Sequence, residues 1–165
     1  MKHLTICLAF FILPGIITTV QAQLPVKPLA LQSELLKSDN PKYAANKKLV
    51  YDMWREFVEA GHVEVAEKYF TESYMQHNPN APTGRKAAVE SRSKWSKPQA
   101  VSDTIKRQVV AIVAEGDLVV ISFVKERTDP NDKNKKYTTT HFDMFRIENG
   151  KIAEHWDSSE KKKLN

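Results

Sequence analysis

Cysteine is almost absent from this 165-residue sequence, and the one cysteine, Cys7, lies in an apolar N-terminal stretch. That stretch follows the positive Lys2 and ends in Val20-Gln21-Ala22, a small-x-small pattern that predicts a signal peptide over residues 1–22 with cleavage after Ala22. The alternative is an uncleaved membrane anchor. The mature protein, secreted or periplasmic, would have no cysteine, which excludes disulfides, thiolate nucleophiles and cysteine-ligated metals.

Long apolar runs are absent after the leader, so no stable membrane insertion is expected once it is removed. A large excess of one charge is also missing, because 25 Lys and Arg face 20 Asp and Glu, a formal net charge of +5. The basic runs, residues 133–136 and 161–163, have no aromatic residues interleaved among their lysines on which bases could stack. We therefore interpret these runs as solvated surface and expect no nucleic-acid partner.

The rest of the chain divides into a lead-in over residues 23–45, a single domain over residues 46–158 and a basic tail over residues 159–165. Apolar spacing predicts a short helical turn at 31–36 and helices over about 46–60, 63–70 and 84–95. Alternating, β-rich patterns predict strands over 105–114, 118–127, 138–147 and 151–157. Helices that precede an antiparallel meander favour an α+β fold with the helices packed on one face of the sheet.

Two His-x-Asp pairs occupy the last two predicted strands: His141 with Asp143, and His155 with Asp157. Residues two apart on a strand share a face, so all four side chains can meet on one face of the sheet. If that face is enclosed, the two imidazoles and two carboxylates predict a proton-transfer site. A zinc or iron site is the alternative, and an ordinary polar surface is expected if the face is open to water.

The turn between these strands determines which residues face each other. A three-residue loop over 148–150, with Gly150 in the left-handed conformation, would set Asp143 across from His155 and His141 across from Asp157.

Two segments of the chain resemble a known family. The segment Tyr74-Met75-Gln76-His77-Asn78-Pro79, followed by Gly84, and the ending over residues 145–157, with its Gly150-Lys151-Ile152, are similar to the SnoaL-like family of the nuclear-transport-factor-2-like superfamily. The similarity covers about residues 46–157. It implies a conical fold in which three N-terminal helices close a curved, mostly antiparallel sheet around a hydrophobic pocket.

The resemblance implies chemistry without a cofactor or a metal. SnoaL-like cyclases remove a proton next to a carbonyl group, stabilise the enolate and close a ring by aldol condensation. Asp157 resembles their catalytic aspartate and would shuttle the proton, which requires a raised pKa. Asp143, with His141 or His155, would hold the enolate oxygen. We therefore expect a secreted lyase or isomerase that acts on a small hydrophobic carbonyl compound.

The resemblance also implies which side chains contact the substrate. Asn78 stands where ketosteroid isomerase has its base, although an amide cannot accept the proton, and Tyr74 and Gln76 would lie on its side of the strand. His77, Trp54 and Phe145 are the other predicted substrate-binding residues.

The remaining predictions concern the other tryptophans, assembly and alternative functions. Trp95 and Trp156 are interpreted as packing residues, and the outer face of the sheet would form a homodimer in this fold. A non-catalytic module that binds a small ligand or a partner would use the same pocket, because a fold alone does not establish chemistry. Hydrolysis of an epoxide or ester by an activated water would use the same residue types.

Overall fold

The computed structural model describes residues 24–162, and the predicted leader lies outside them, so its cleavage remains a prediction. Among the described residues, no helix is long and apolar enough to cross a lipid bilayer. The helical elements of this part of the chain are α1 (Gln32–Leu35), α2 (Pro41–Met53), a π-helix (Trp54–Glu59), a 3-10 helix (Val63–Val65), α3 (Ala66–Tyr69) and α4 (Arg85–Trp95). The strands are β1 (Phe70–Gln76), β2 (Val109–Glu115), β3 (Leu118–Thr128), β4 (Lys136–Glu148) and β5 (Lys151–Asp157).

The strands form one five-stranded mixed sheet in the order β1-β5-β4-β3-β2. Strands β2 to β5 follow each other as an antiparallel meander, and β1 pairs with β5 in parallel. The apolar residues of α2 and the π-helix pack with those of the sheet into one core. The predicted α+β fold, with helices on a mostly antiparallel sheet, is therefore confirmed.

Burial along β4 identifies the face of the sheet that the helices cover. Asp143 and Phe145 are 4% and 2% exposed, whereas their neighbour Phe142 is 52% exposed. Since successive side chains of a strand point to opposite faces, the inner face is the one that holds Asp143. A polar side chain therefore lies where a simple sheet would place only apolar ones.

The first long helix begins at Pro41 and not at Asn46, because Asn40 caps it. The Asn40 side chain accepts a hydrogen bond from the backbone N–H of Lys42 at 3.0 Å. Pro41 occupies a first-turn position, where a missing N–H costs nothing.

The same helix continues without a break into the π-helix. There the N–H of Ala60 donates to the carbonyl of Arg55 at 2.9 Å, a bond that spans five residues. The wider turn leaves Trp54 and Phe57 buried against the sheet. Single π-helical turns inside α-helices occur frequently at functional sites.

The predicted strand over 105–114 is shorter in the structure and begins at Val109. Gln32 of the lead-in explains the difference, because its amide donates to the carbonyl of Ile105 at 2.8 Å and accepts from its N–H at 3.0 Å. These bonds satisfy the backbone groups for which a strand partner would otherwise be needed. Leu35, also from the predicted lead-in, is buried in the core.

The predicted helix over 63–70 also divides into two shorter pieces. It consists of the 3-10 turn and α3, and Phe70 already begins β1.

The turn between β4 and β5 has two residues and not three. Asn149 and Gly150 both have positive φ, 50° and 73°, as a tight hairpin turn requires. A bulge next to the turn then shifts the register, so that Asp143 lies across from Asp157 and Phe145 across from His155.

The predicted cross-strand pairs, Asp143 with His155 and His141 with Asp157, are therefore wrong. The net shift is two residues, which keeps every side chain on its predicted face.

Gly61 is expected to be the least replaceable glycine of the helical layer. Its φ is +73°, and an added Cβ would overlap Ser96 Oγ and lie 3.0 Å from the carbonyl oxygen of Lys97. We expect Gly61→Ala to lower the free energy of unfolding by about 3 kcal/mol, from left-handed strain plus overpacking. Urea denaturation measures this loss.

Gly116→Ala is the matched control for this substitution. Gly116 also has a positive φ, +61°, but nothing lies near its added Cβ. We expect this variant to lose only about 1 kcal/mol, and equal losses in the two variants would contradict the packing argument.

Candidate active site

A cavity of about 270 Å³ lies between the inner face of the sheet and the helices. This volume is close to the lower end of ordinary small-molecule sites, roughly 300 Å³. Four polar side chains, Tyr74, Gln76, Asp143 and His155, come from β1, β4 and β5 and form its floor. The apolar walls include Met53, Trp54, Phe57, Phe70 and Phe145.

Asp143 and His155 form a buried pair on this floor. The Nε2 atom of His155 lies 3.0 Å from Oδ1 of Asp143, and the two residues are 9% and 4% exposed. Phe145 stacks on the imidazole with ring centroids 4.7 Å apart. The pair is thus fixed in position and largely shielded from water.

Gln76 determines which role Nδ1 of His155 has in hydrogen bonding. The backbone N–H of Asn78 donates to Oε1 of Gln76 at 2.9 Å, so this atom is the amide oxygen. The Nδ1 atom of His155 lies 3.0 Å from the same oxygen and must therefore carry a hydrogen. A neutral His155 would then face the Asp143 carboxylate with the lone pair of Nε2. One additional proton between Nε2 and Oδ1 would remove this conflict.

Tyr74 presents a hydroxyl group to the same cavity. Its oxygen accepts a hydrogen bond from Nε2 of Gln76 at 3.1 Å, which leaves its own hydrogen for a ligand. Burial, together with the nearby charges of Asp143 and Asp157, raises the pKa of Tyr74 well above its usual value. The hydroxyl therefore remains a hydrogen-bond donor at neutral pH.

Asp157 differs from its predicted state. Partial burial alone would raise the pKa of Asp157, but hydrogen bonds from Asn78 and from Ser159 outweigh burial and lower it. The Nδ2 atom of Asn78 lies 2.6 Å from Oδ2, and the N–H of Ser159 lies 2.8 Å from Oδ1. The expected raised pKa of Asp157 is therefore wrong, because its charged form is the one that is hydrogen-bonded.

Neither Asp157 nor Asn78 lines the main cavity. Asp157 lies directly across the strands from Asp143.

His141 lies at the edge of the site. Its Nε2 atom is 3.5 Å from Oδ2 of Asp143, and its Nδ1 atom is 3.2 Å from Oγ of Ser158. It lines a separate cavity of about 290 Å³ with Arg107 and Lys125, not the main one. His141 therefore lies beside Asp143 but is not among the residues that line the main cavity.

His77 is on the outer side of the sheet, so its predicted substrate contact is wrong. It stacks on Trp156 with ring centroids 4.6 Å apart, and its Nε2 atom lies 2.9 Å from Glu154 Oε2. Gln76 and His77 are consecutive in an extended segment and point in opposite directions, which explains the outcome. Trp156 is a packing residue, as predicted, through this stack.

The family model for SnoaL-like polyketide cyclases matches residues 48–164. The chain belongs to this family. The predicted family resemblance is therefore confirmed, and membership supports a cyclase- or isomerase-type role without a cofactor. No curated protein matches the sequence.

Solved structures agree with this fold. A candidate polyketide cyclase from Acidithiobacillus ferrooxidans aligns with a TM-score of 0.51 and 16% identity, over 73% of this chain and 89% of that one. A candidate SnoaL-like polyketide cyclase from Jannaschia sp. CCS1 has a TM-score of 0.48 and 13% identity, over 74% and 91% of the two chains. An epoxide hydrolase of the LEH-like type from M. tuberculosis has a TM-score of 0.49 and 10% identity, over 71% and 84%. At 16% identity, the likeness to the first of these structures shows the fold alone.

A metal-ligand set is geometrically present in this SnoaL-like site. Asp143, His155 and Asp157 offer ligand atoms that lie within 4.8 Å of one another. His141, the fourth residue of the predicted alternative, is not part of this group.

Helix α4 contributes cavity residues that were not predicted. Ser91, Arg92 and Trp95 line the cavity with Ala88. Trp95 is 84% exposed, so its predicted packing role is wrong, and it stands at the mouth of the cavity. The sequence contains a signal for these residues. Spacings of four and three residues place Ala88, Arg92 and Trp95 on one helix face.

Removal of the Asn78 side chain should raise the pKa of Asp157. In Asn78→Ala, Asp157 loses the donor at 2.6 Å that stabilises its charged form. NMR titration of the Asp157 carboxyl carbon measures the change. In Asn80→Ala, the control, Asp157 keeps its donors, because Asn80 bonds Asn78 and Glu160 instead.

The stability of the same variant should depend on pH in a defined direction. Because the folded pKa of Asp157 is lowered, its contribution is present above about pH 4, the unfolded pKa, and is lost as pH falls through the folded pKa. We expect the pH-dependent loss in Asn78→Ala to be about 1 kcal/mol at pH 7, allowing for partial exposure. A loss of stability in Asn78→Ala, relative to the wild type, that grows as the pH falls would contradict the lowered pKa of Asp157.

Proposed function

We propose that this protein is a cofactor-independent lyase or isomerase that enolises a small hydrophobic carbonyl compound in the main cavity. The observation that carries the proposal is the buried contact of His155 Nε2 with Asp143 Oδ1 at 3.0 Å, while Nδ1 of the same ring faces the amide oxygen of Gln76. Carboxyl groups with a partner that sets their protonation are suited to acid–base catalysis. The apolar walls beside this pair suit a hydrophobic substrate.

The proposed proton transfer uses the ion-pair form, in which Asp143 is a carboxylate and His155 an imidazolium. The Asp143 carboxylate takes a proton from the carbon next to the substrate carbonyl, and the electron pair moves onto the carbonyl oxygen. The Tyr74 hydroxyl donates a hydrogen bond to this enolate oxygen. Asp143 then returns the proton to carbon in an isomerisation, or to the new alkoxide in an aldol-type ring closure.

Asp157 is not the proton carrier in this proposal. Its lowered pKa makes it a weaker base at neutral pH than a group whose pKa lies near the working pH. We assign it instead to positioning, because it holds Asn78, whose backbone N–H orients Gln76. The chain Asp157, Asn78, Gln76 and His155 thus connects the strand end to the catalytic pair.

Asp143→Asn should abolish enolisation. A panel of small ketones and β-diketones is incubated with the mature protein in D2O, and exchange at the α-carbon is followed by NMR. An amide cannot carry the proton, so we expect exchange to slow at least about 100-fold. Asp103→Asn, an exposed aspartate, is the matched control and should exchange as the wild type does.

Exchange that is unchanged in Asp143→Asn would contradict the proposed mechanism. A wild-type protein that binds these compounds but exchanges none of them would support the non-catalytic binding module instead.

We further propose that the protein is exported and that its leader is removed. The pattern at residues 20–22 supports cleavage after Ala22. N-terminal sequencing of protein expressed with its leader in a bacterial host should then begin at Gln23. A chain that keeps Lys2 in the membrane fraction would support the anchor alternative.

A further inference from the structure

Arg92 places a positive charge in the wall of the main cavity, on the helix that covers it. Its side chain is partly buried and lines the cavity, and its Nε atom is buried without a hydrogen-bond partner. Within residues 24–162, the ion-paired arginines are Arg55 and Arg146, and Arg92 has no carboxylate at ion-pair distance. A buried N–H group of a charged side chain is costly when it has no acceptor.

A second arginine, Arg107, lies behind the wall of the main cavity and lines the separate cavity with His141. The Arg107 guanidinium lies 5.5 Å from the ring centroid of Trp54, itself a cavity residue. Burial, and then repulsion from Arg107, lowers the pKa of Arg92. An anion next to Arg92 would relieve both effects, because it would supply an acceptor and a negative charge.

The cavity itself does not supply that anion. Asp143 is its one carboxylate among the described lining residues, and the Oδ1 atom of Asp143 is already paired with His155. The described residues that line the cavity therefore provide no carboxylate for Arg92.

We propose that the ligand of this cavity carries a carboxylate that binds Arg92, while its carbonyl group faces Asp143 and Tyr74. The substrate class is then a small hydrophobic or aromatic keto acid. The guanidinium fork of arginine matches a carboxylate in a bidentate arrangement. One arginine in a small apolar cavity suits one monoanionic group and not a phosphate ester with two charges.

This inference rests on the proposed function in treating the cavity as the substrate site, but it requires no turnover. Binding at equilibrium therefore tests it separately from catalysis. The probes are 2-naphthoate and its neutral amide, 2-naphthamide, which have the same ring and nearly the same shape. Isothermal titration calorimetry with the mature protein measures both dissociation constants.

The wild-type protein should bind 2-naphthoate at least about tenfold more tightly than 2-naphthamide, as a hydrogen-bonded charge pair requires. Arg92→Gln should remove this preference and leave the affinity for 2-naphthamide within about twofold of the wild type. Arg92→Lys keeps the charge without the fork and should retain an intermediate preference. Lys94→Gln removes the same charge from an exposed position of the same helix and should change neither constant.

Equal affinity of the wild type for the two probes, no binding of 2-naphthoate at millimolar concentration, or an unchanged preference in Arg92→Gln would overturn the inference. Each variant is first compared with the wild type by circular dichroism and thermal unfolding, and Arg92→Lys serves if Arg92→Gln does not fold. Loss of exchange in Asp143→Asn with no carboxylate preference in the wild type would refute the carboxylate subsite alone. A carboxylate preference without any proton exchange would refute the catalytic proposal alone.

Discussion

The parallel pairing of β1 with β5 is the constraint on which the site depends. It sets Gln76 beside His155, where the amide oxygen accepts from both the backbone of Asn78 and the imidazole. That single acceptor orients the ring and leaves Nε2 facing Oδ1 of Asp143 at 3.0 Å. Without β1, the β4–β5 hairpin would still bring Asp143 near His155, but nothing would determine which nitrogen carries the hydrogen.

The polar groups of this site are stable inside the fold because their partners are built into the sheet. Asp143 and His155 satisfy each other, and Gln76 joins them to Tyr74. Buried polar groups with partners cost little, whereas unpaired ones are expensive. The Oδ2 atom of Asp143 and the Nε atom of Arg92 are the exceptions that belong to cavity residues. A ligand bound in the cavity would supply the missing hydrogen-bond partners of these two atoms.

Family membership and local geometry support the same class of reaction but assign its residues differently. The resemblance assigned the proton shuttle to Asp157, at the end of β5. The structure satisfies that carboxylate with donors from Asn78 and Ser159 and places Asp143 on the floor of the cavity. The difference follows from the pairing of β1 with β5, which brings Asn78 to the carboxylate of Asp157.

Periodicity in the sequence determined much of the fold. The helix of residues 84–95, the strands of residues 118–127 and 151–157, and the shared face of His155, Asp143 and Phe145 follow from side-chain spacing of 3.6 or 2 residues. Side-chain spacing depends on the local sequence. The two-residue shift in register between β4 and β5 therefore left each residue on its predicted face. The predicted start of α2 is wrong because apolar spacing does not register the capping residue Asn40, which stands before Pro41.

Tertiary structure alone decided which of these residues act together. Whether Gln76 or His77 faces the cavity depends on how β1 docks beside β5, and whether Arg92 is buried depends on how α4 covers the sheet. The hydrogen bond from Nδ1 of His155 to Gln76, and the Asn78 donor that helps to lower the pKa of Asp157, both come from residues far away in the sequence. The sequence determined the residue types and their faces, because these depend on neighbours along the chain. The structure determined their partners and charges, because hydrogen bonding and desolvation depend on neighbours in space.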